Sequence, residues 1–490
     1  MNKQFFIKTF GCQMNVADSE RISVLLTEQG MTLASCPENA QVIIINGCTV
    51  REKAVHKAIS TLGEFQFLKE TKDPTLKPWI GIGGCVGQLD KKKLFKKAPY
   101  LDFVFGTDTI DHLPEILHRV KSGERHVVYA DFDPSMNYST ETKVYGDQAQ
   151  AFVNIMKGCD KYCTYCIVPY TRGKEKSRTI DEVLDDIARL VELGVREVTL
   201  LGQNVNSFGK GNANTKNREP GELQNIIGKV GPRAGEENFP QLLRAMDEDP
   251  RLKDLKRIRF TSSHPLDFSD ELIQCYAPLD QGGISKLARH LHLPVQSGSN
   301  AVLKKMGRHH QIETYISQMD RLRQLSPEVG LSTDLIVGFP SETEEDFKQT
   351  LALLDRIQFD NIYAFAYSER PGTRASQLED TVSESQKKER LQTVLKYQLA
   401  IAEKRYASRI GKVMEVLVEG EAKNQRMMDS SLSVNDKDWH KVWTGKTTCH
   451  RVVNFIWTSP RNILGKLINV KIIGATGLAL QGQVVNEELR

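Results

Sequence analysis

Pairs of glycine and cysteine that directly follow short apolar segments constrain this chain more than any other feature of its sequence. With 35 glycines and nine cysteines in 490 residues, chance predicts about 0.6 such pairs, yet the chain contains four. Glycine permits a tight turn at the end of a strand and the close approach of a bulky group. The pairs are Gly11-Cys12, Gly47-Cys48, Gly84-Cys85 and Gly158-Cys159.

Residues 1–125 alternate between apolar segments typical of buried strands (FFIKTF, QVIIIN, PWIGIG) and helical patterns. This alternation predicts an open parallel α/β sheet. Because ligands bind beyond the carboxyl ends of strands in such sheets, we expect Cys12, Cys48 and Cys85, the N-terminal triad, to converge and hold an iron–sulfur cluster. The alternative is three buried structural thiols at strand ends.

A second group, Cys159, Cys163 and Cys166, has the spacing C-x3-C-x2-C and follows the apolar strand AFVNIM. We call it the central triad. Three thiolates on one loop fit an iron–sulfur cubane, and the fourth iron stays open, as catalysis requires. The amino and carboxylate groups of a methionine-derived cofactor would chelate that iron. The alternative is a zinc site, which lacks a nearby fourth ligand because no His or Cys follows before His264.

Strand–helix alternation resumes at residues 149–380 with six apolar strands, which predicts a partial α/β barrel. A polar connector at 126–148 precedes it, and a glycine-rich and basic insert at 207–239 interrupts it as a surface loop. A charged helix at 381–408 leads to a strand-rich segment at 409–490, predicted to be a small all-β barrel. Residues 403–490 contain 14 Lys+Arg and 9 Asp+Glu, which is compatible with a nucleic-acid-binding module or with an ordinary solvated surface.

Several protein classes are disfavoured by the sequence. The first residues lack the basic start and long apolar core of a signal peptide, and no apolar run approaches a membrane span. Nine cysteines, an odd number, are a poor disulfide framework. We therefore expect a cytoplasmic protein that does not associate with membranes.

The cysteine motifs and their surroundings resemble the radical S-adenosylmethionine methylthiotransferases along nearly the whole chain. Within that family the sequence is most similar to the MiaB type, which acts on N6-dimethylallyladenosine of tRNA. The terminal segment GKTTCHRVVNF departs from the usual pattern at Lys446 and His450, where arginine and asparagine are common. The similar segments are INGCTVREKA (45–54), IMKGCDKYCTYCIVPYTRGKEKSR (155–178), LLGQNVNSFG (200–209), HLPVQSGSNAVLKKMGR (292–308) and YSERPGTRAS (367–376).

The resemblance implies an N-terminal open parallel α/β domain with an auxiliary cluster, a central radical-SAM partial (β/α)6 barrel and a C-terminal TRAM barrel that binds RNA. It implies two [4Fe-4S] clusters, each held by three cysteines, and two equivalents of S-adenosylmethionine per product. The sulfur would come from the auxiliary cluster on the N-terminal triad. The implied partners are the tRNA anticodon stem-loop, an electron donor such as flavodoxin or ferredoxin, and an iron–sulfur carrier. We expect a monomer.

The resemblance also implies roles for residues outside the triads. We expect no catalytic residues beyond the cluster ligands, because the cofactors supply the chemistry. Each of the other positions also has an ordinary structural interpretation, as a turn, core or ion-pair residue. The predicted cofactor-binding residues are Tyr165, Gln203, Asn204, Gln296, Ser297, Gly338 and Pro340. The predicted RNA-binding residues are Arg172, Lys446, Arg451 and Phe455.

Two alternatives stay open at this point. One keeps the chemistry and changes the substrate to threonylcarbamoyl-adenosine of another tRNA or to an aspartate of ribosomal protein S12. The other changes the class of protein to a zinc-stapled, non-catalytic tRNA-binding protein. The TVREKA and CIVPYTRG segments favour the branch that acts on dimethylallyladenosine over the S12 branch.

Overall fold

The computed structural model describes residues 3–49, 52–71, 77–132, 142, 148–209, 237–425 and 441–485. Most of the predicted connector at 126–148 and of the predicted insert at 207–239 therefore lies outside the described residues. None of the helices described is both long enough and apolar enough to cross a membrane.

The N-terminal part is the predicted open sheet, with six parallel strands in the order β2-β1-β3-β4-β5-β6. Strands β1, β3 and β4 coincide with the predicted ones, whereas the short strands β2, β5 and β6 were not predicted. The last strand ends four residues beyond the predicted domain boundary at 125. The strands are β1 (Gln4–Phe10), β2 (Thr32–Leu33), β3 (Val42–Gly47), β4 (Trp79–Gly83), β5 (Phe103–Phe105) and β6 (Val127–Tyr129).

Five helices accompany this sheet, and two apolar clusters form its core. One cluster contains Phe5, Ile44 and Phe103, and the other contains Ile43 and Ile45. Neighbouring residues of β3 thus contribute to different clusters, as expected for a parallel strand that is buried on both faces. The helices are α1 (Gln13–Glu28), α2 (Glu52–Thr71), α3 (Gly84–Asp90), α4 (Lys93–Lys97) and α5 (Leu113–Lys121).

The central part is a partial barrel of six parallel strands, as predicted. Three strands pair in the order β7-β10-β11 and three in the order β12-β13-β14. A parallel bridge between Ile258 and Leu287 joins the halves, so the outer strands β7 and β14 are the barrel's two edges. The strands are β7 (Gln150–Asn154), β10 (Glu197–Leu201), β11 (Arg257–Phe260), β12 (His290–His292), β13 (Gly330–Val337) and β14 (Asn361–Ala366), with a small antiparallel pair, β8 (Met156–Lys157) and β9 (Lys176–Ser177).

Helices cover the outside of the partial barrel. Val153, Val198, Ile258, Leu291 and Leu335 face these helices within one large apolar core, so the alternate residues of each strand face inward. The helices are α6 (Val168–Arg172), α7 (Ile180–Glu192), α8 (Phe239–Glu248), α9 (Asp270–Gln274), α10 (Asn300–Lys305), α11 (Ile312–Leu325) and α12 (Glu344–Ile357).

The C-terminal part is the predicted small barrel, closed in the order β15-β16-β17-β19-β18. It is reached through the predicted charged helix α13 (Glu384–Ala407), and Val416, Phe455 and Val470 lie in its core. Strand β16 was not predicted, because its sequence KVWTGKT contains only two large apolar residues, Val442 and Trp443. The strands are β15 (Val413–Glu421), β16 (Lys441–Thr447), β17 (Val452–Trp457), β18 (Leu467–Ala475) and β19 (Leu480–Val484).

The small barrel packs against the amino ends of the central strands. Arg257, at the start of β11, donates to the Lys446 carbonyl oxygen at 2.5 Å, and Gln150, at the start of β7, donates to Glu419 at 2.7 Å. The His290 ring, at the start of β12, stacks on the His450 ring of the small barrel, with 4.6 Å between the ring centroids. The opposite ends of the six strands, their carboxyl ends, are therefore left for ligands, as in other α/β barrels.

Candidate iron–sulfur and nucleotide site

The N-terminal triad lies at the carboxyl ends of three strands that are neighbours in the sheet. Phe10 of β1 pairs with Gly47 of β3, and Gly47 in turn bridges to Gly84. Cys48 and Cys85 follow this aligned row directly and Cys12 follows it by two residues, so the three cysteines lie at the same edge of the sheet on neighbouring strands. Adjacent strands lie about 4.8 Å apart, a spacing that lets three thiols surround one cluster.

Two glycines of this row are required by space as well as by backbone conformation. Gly11 has φ +150°, and a Cβ there would lie 2.7 Å from the Cys48 Cβ. Gly84 has φ +75°, and a Cβ there would lie 2.2 Å from the Asn46 Oδ1. The glycines therefore leave room beside the three thiols that any larger residue would fill.

The buried side-chain amides of Asn15 and Asn46 hydrogen-bond to each other's residue next to the N-terminal triad. The Asn15 Nδ2 donates to the Asn46 Oδ1 at 3.2 Å, and the Asn46 Nδ2 donates to the Asn15 carbonyl oxygen at 2.8 Å. The Cys12 thiol lies 3.5 Å from the Asn15 Oδ1. Because both asparagines are fully buried, this network holds the start of α1 against β3 in one arrangement.

A buried ion pair connects the N-terminal triad to the central barrel. The Arg172 guanidinium, at the end of α6, lies 2.6 Å from the Asp18 carboxylate on α1 and hydrogen-bonds to the Cys85 thiol. Only 6% of Arg172 is exposed, so the predicted RNA contact at this residue is wrong. The second possibility considered for it, pairing with a nearby acid, is what the structure contains.

The charges around the N-terminal triad act on its thiols in different directions. A hydrogen bond from Cys48, together with the Arg172 charge, lowers the pKa of the Cys12 thiol to about 6. Burial raises the pKa of Cys85, although Arg172 opposes that effect. Of these two thiols, Cys12 is therefore the more easily deprotonated at neutral pH.

The central triad lies on a loop between β8 and α6. The Cys159 N–H donates to the Gly173 carbonyl oxygen at 3.1 Å, and the Cys166 N–H donates to the Cys163 carbonyl oxygen at 3.0 Å. Gly158 has φ +78°, and a Cβ there would lie 1.9 Å from the Lys174 carbonyl oxygen. These backbone contacts wrap the loop so that its three thiols share one small region.

Burial dominates the electrostatics of the central triad. It raises the pKa of Cys166 to about 12 and the pKa of Cys159 well above its usual range. The nearest cation is Arg308, whose Nη1 lies 3.8 Å from the Cys163 Sγ and whose Nη2 donates to the Pro294 carbonyl oxygen. Arg308 was not predicted as a site residue, although it ends the similar segment HLPVQSGSNAVLKKMGR.

Buried polar atoms without a hydrogen-bond partner cluster at the carboxyl ends of the central strands. Native proteins rarely leave such atoms unpaired, and a convergent set of them is typical of a site for a polar ligand. Their position matches the place where ligands bind in α/β barrels. The atoms are Asn154 Oδ1, Gln203 Nε2, Asn204 Oδ1, Ser263 Oγ, His264 Nε2 and Tyr367 Oη.

Two of the predicted cofactor-binding residues belong to this cluster. The Gln203 Oε1 accepts from the Gly158 N–H, so this side chain bridges the end of β10 and the central triad's loop. The Asn204 Nδ2 donates to Asp267 at 2.8 Å and to Glu175 at 3.3 Å. Burial raises the pKa of the Glu175 carboxyl to about 7. Glu175 and Asp267 were not predicted, although Glu175 lies within the similar segment 155–178.

The other predicted cofactor-binding residues lie around the same end of the barrel. Tyr165 packs against the small cluster of Phe339 and Tyr367. Gln296 adopts φ +76° just beyond β12 and pairs with Leu335 of β13. The side chain of Ser297 is fully buried and lies 3.5 Å from the Thr350 hydroxyl, which makes it a link to α12.

Gly338 and Pro340 follow β13. Gly338 has φ +69°, and a Cβ there would lie 2.4 Å from the Lys387 side chain. The Gly338 N–H donates to the Glu342 carboxylate at 2.6 Å, and Pro340 is buried. The Lys387 side chain and the Glu342 carboxylate therefore hold this turn in place, at the carboxyl end of β13.

Of the RNA contacts predicted in the small barrel, two are buried. Arg451 is 1% exposed and pairs with Asp360 of the central part, and Phe455 lies in the barrel core. These two predictions are wrong, because neither side chain reaches the surface. The Lys446 ammonium is partly exposed and lies 3.0 Å from Glu419, so a role for it in RNA binding stays a prediction.

The two triads fit iron–sulfur clusters in their chemistry. Each consists of three thiols, at three strand ends in the N-terminal triad and on one loop in the central triad, with a cation beside it and space preserved by glycine. Within the described residues, no three His, Cys, Asp or Glu side chains are arranged around a single metal ion, whereas a four-iron cluster binds each of its cysteine thiolates through a different iron.

Comparisons with known proteins match two parts of this chain to protein families. Residues 4–106 match the model of the uncharacterized protein family UPF0004, and residues 153–354 match the radical SAM superfamily. A [4Fe-4S] cluster and S-adenosylmethionine are therefore the expected cofactors of the central part. The radical S-adenosylmethionine methyltransferase TsrM from Kitasatospora setae shares the fold at 13% identity, with a TM-score of 0.53 over 77% of each chain.

Full-length relatives are closer in sequence. The tRNA-2-methylthio-N(6)-dimethylallyladenosine synthase of Bdellovibrio bacteriovorus is 40% identical over 99% of this chain and 96% of its own length. The protein of the same name from Acidovorax sp. is 40% identical over 100% of this chain and 99% of its own length. The chain therefore belongs to the family of the tRNA-2-methylthio-N(6)-dimethylallyladenosine synthases, within the radical SAM superfamily.

Proposed function

We propose that this chain is the tRNA methylthiotransferase that converts N6-dimethylallyladenosine at position 37 of the anticodon loop to its 2-methylthio derivative. The observation that supports it most is the pairing of two cysteine triads. One lies at the carboxyl ends of a parallel sheet, the other lies at those of a partial barrel, and the Arg172–Asp18 ion pair joins the two parts. Membership of the family supplies the identity of the substrate.

The reaction needs groups that ordinary side chains lack. Carbon 2 of an adenine ring is neither acidic nor nucleophilic, so general acid–base catalysis does not replace its hydrogen. When bound, a [4Fe-4S] cluster with S-adenosylmethionine supplies radical chemistry, and a second [4Fe-4S] cluster supplies the sulfur. The central triad would hold the first cluster and the N-terminal triad the second.

The protein's own residues bind, orient and shield these groups. Gln203 fixes the central loop through the Gly158 N–H, and Arg308 places a positive charge beside Cys163. The unpaired polar atoms at the strand ends are donors and acceptors suited to the amino-acid and ribose parts of S-adenosylmethionine. Tyr165, Gln296, Ser297, Gly338 and Pro340 would complete that site.

On the N-terminal side, Arg172 neutralises part of the negative charge that three thiolates and a cluster bring into a buried place. Asp18 holds the guanidinium in position. Because α6 begins two residues after Cys166 and ends at Arg172, a single short helix spans from one triad to the other.

The proposed partners follow from the same chemistry. They are the tRNA anticodon stem-loop as substrate, an electron donor such as flavodoxin or ferredoxin, and an iron–sulfur carrier that restores the auxiliary cluster. We propose that two equivalents of S-adenosylmethionine are consumed per product, and that the protein acts as a cytoplasmic monomer.

The test is turnover by the anaerobically reconstituted protein on three substrates: anticodon stem-loop RNA with dimethylallyladenosine, the same RNA with threonylcarbamoyl-adenosine, and ribosomal protein S12. We expect methylthio product on the first alone, as measured by nucleoside mass analysis, and roughly eight irons per chain. Product on a rival substrate only would reject the proposed substrate. A colourless protein with stoichiometric zinc would reject the proposed chemistry.

A further inference from the structure

Three large aromatic side chains are exposed on the inner face of the partial barrel. Phe152 of β7, Tyr363 of β14 and Phe365 of β14 are 36%, 46% and 42% exposed. Their strand neighbours Val153 and Ile362 are buried among the outer helices. Since successive residues of a strand point to opposite faces, the three rings face the inside of the barrel.

These rings lie on the two strands that flank the barrel's opening. Strands β7 and β14 are the edges of the six-stranded arrangement, so Phe152 lies on one side of the gap and the two β14 rings lie on the other. Helix α1, which begins directly after Cys12, packs beside β7. The central triad follows β7 and β8 in the chain. A planar group between the edge strands would thus lie close to both triads.

Charges on the inner face are distributed unevenly. Arg257 and Arg259 face inward but are almost fully buried, because they bind carbonyl oxygens of the small barrel, and Arg259 also pairs with the buried Glu197. These three side chains are therefore not presented to a ligand in the barrel.

A carboxylate is presented instead. Asp334 of β13 is 32% exposed, pairs in register with Tyr363, and lies 3.4 Å from the Nε2 of His292. Phe365 pairs with the apolar Ile336 one step further along β13. On the described inward faces of the six strands, the wall offered to a ligand therefore combines the three aromatic rings and Ile336 with the Asp334 carboxylate and with polar side chains such as Thr199, His292 and Asn361.

We propose that Phe152, Tyr363 and Phe365 form the pocket for the target base, and that this pocket selects a purine whose N6 substituent is apolar and uncharged. Bases stack well on aromatic rings, and a dimethylallyl group gains from contact with apolar surface. A substituent that ends in a carboxylate would be repelled by Asp334. The inference rests on the proposed function and deepens it by assigning the residues that select the substrate.

The test measures binding of three RNAs to the anaerobically reconstituted full chain at one salt concentration. The RNAs are the same anticodon stem-loop with adenosine, dimethylallyladenosine or threonylcarbamoyl-adenosine. Phe152→Ala and Phe365→Ala should each reduce the preference for dimethylallyladenosine over adenosine by about tenfold. Phe67→Ala, which removes an exposed ring on α2, is the matched control and should leave the preference unchanged.

The acidic group is tested by Asp334→Asn. Removal of its charge should improve binding of the threonylcarbamoyl RNA relative to the dimethylallyl RNA by about threefold. Tyr363→Phe and Phe365→Leu retain packing, and they keep the test valid if an alanine variant unfolds. We expect both to retain at least part of the preference.

If the aromatic variants bound all three RNAs more weakly by the same factor, the proposed pocket would be rejected. Such a result would indicate general RNA binding or a loss of structure. An unchanged preference in all variants would overturn the pocket as well. In either case, wild-type turnover of the dimethylallyl RNA would leave the proposed function standing. Failure of the wild type to make product would instead reject the proposed function.

Discussion

The N-terminal and central triads contain the same three thiols but are built in opposite ways. The N-terminal triad takes one cysteine from the end of each of three neighbouring strands, whereas the central triad takes all three from a single loop. The first has Arg172 beside it and lowers the pKa of Cys12 to about 6. The second is dominated by burial, which raises the pKa of Cys166 to about 12.

Under the proposed function, the same set of three cysteines would hold one cluster for the cleavage of S-adenosylmethionine and another for the donation of sulfur. Cys159 and Cys166 of the central triad resist deprotonation in the absence of metal, because burial disfavours the charged form. In the N-terminal triad, a cation and a thiol hydrogen bond favour a thiolate at Cys12, which would suit the cluster that, under the proposed function, gives up its sulfur and is restored. The following substitutions test whether the triads divide the work in this way.

The largest effect is expected for Cys163→Ala. Loss of one ligand of the central triad should reduce the cleavage of S-adenosylmethionine to background, and methylthio product should disappear with it. The measurement is the formation of 5′-deoxyadenosine by the reduced protein. Cys36→Ala removes a cysteine outside both triads and should retain both activities. Normal cleavage by Cys163→Ala would contradict the assignment.

Cys48→Ala should separate the two activities. The central triad stays intact, so cleavage of S-adenosylmethionine should continue, while sulfur insertion should fall to background. Iron content should drop by about half, because one of two similar clusters is lost. If cleavage and insertion fell equally, the proposed division of labour between the triads would not hold.

Arg172→Gln should give a smaller and partial defect. Removing one partner of a buried ion pair leaves Asp18 uncompensated and costs about 3–5 kcal/mol of folding free energy, which should appear as a lower melting temperature. Asp18→Asn together with Arg172→Gln should recover part of that stability, because no lone charge stays buried. If the Arg172 charge also stabilises the auxiliary cluster, product formation should remain low in the double variant. Full recovery of activity would instead assign Arg172 a structural role only.

The smallest effect concerns thiol reactivity in the protein without metal. A thiol with a pKa of about 6 is mostly protonated at pH 5 and mostly ionised at pH 7, so alkylation of Cys12 should speed up by about tenfold between these values. Cys166, with its raised pKa, should stay slow over the same range. Peptide mapping after iodoacetamide treatment measures both, and Cys48→Ala should slow Cys12 by removing its hydrogen bond. Equal alkylation rates for Cys12 and Cys166 would contradict the proposed difference between the two triads.

Several features of this protein could be predicted from its sequence because they are local. Strand periodicity, the Gly-Cys pairs and the C-x3-C-x2-C spacing each lie within a few residues, so the main strands and both triads were predicted. Short strands such as β2 and β6 were missed, since two or three residues give no period. Phe455 was misassigned because a motif does not reveal which side of a strand faces the core. Arg451 was misassigned because its ion pair with Asp360 joins segments far apart in the chain.

What the tertiary structure alone decided involves residues far apart in the chain. The Arg172–Asp18 ion pair joins positions 154 residues apart, and no local pattern pairs one arginine with one aspartate. Likewise, Phe152 and Phe365 have ordinary strand surroundings in sequence, and only the order of the strands places them on the two edges of one opening. Sequence determined which groups are available for chemistry, while the packing of distant segments decided which of them meet, because burial and contact depend on the whole fold.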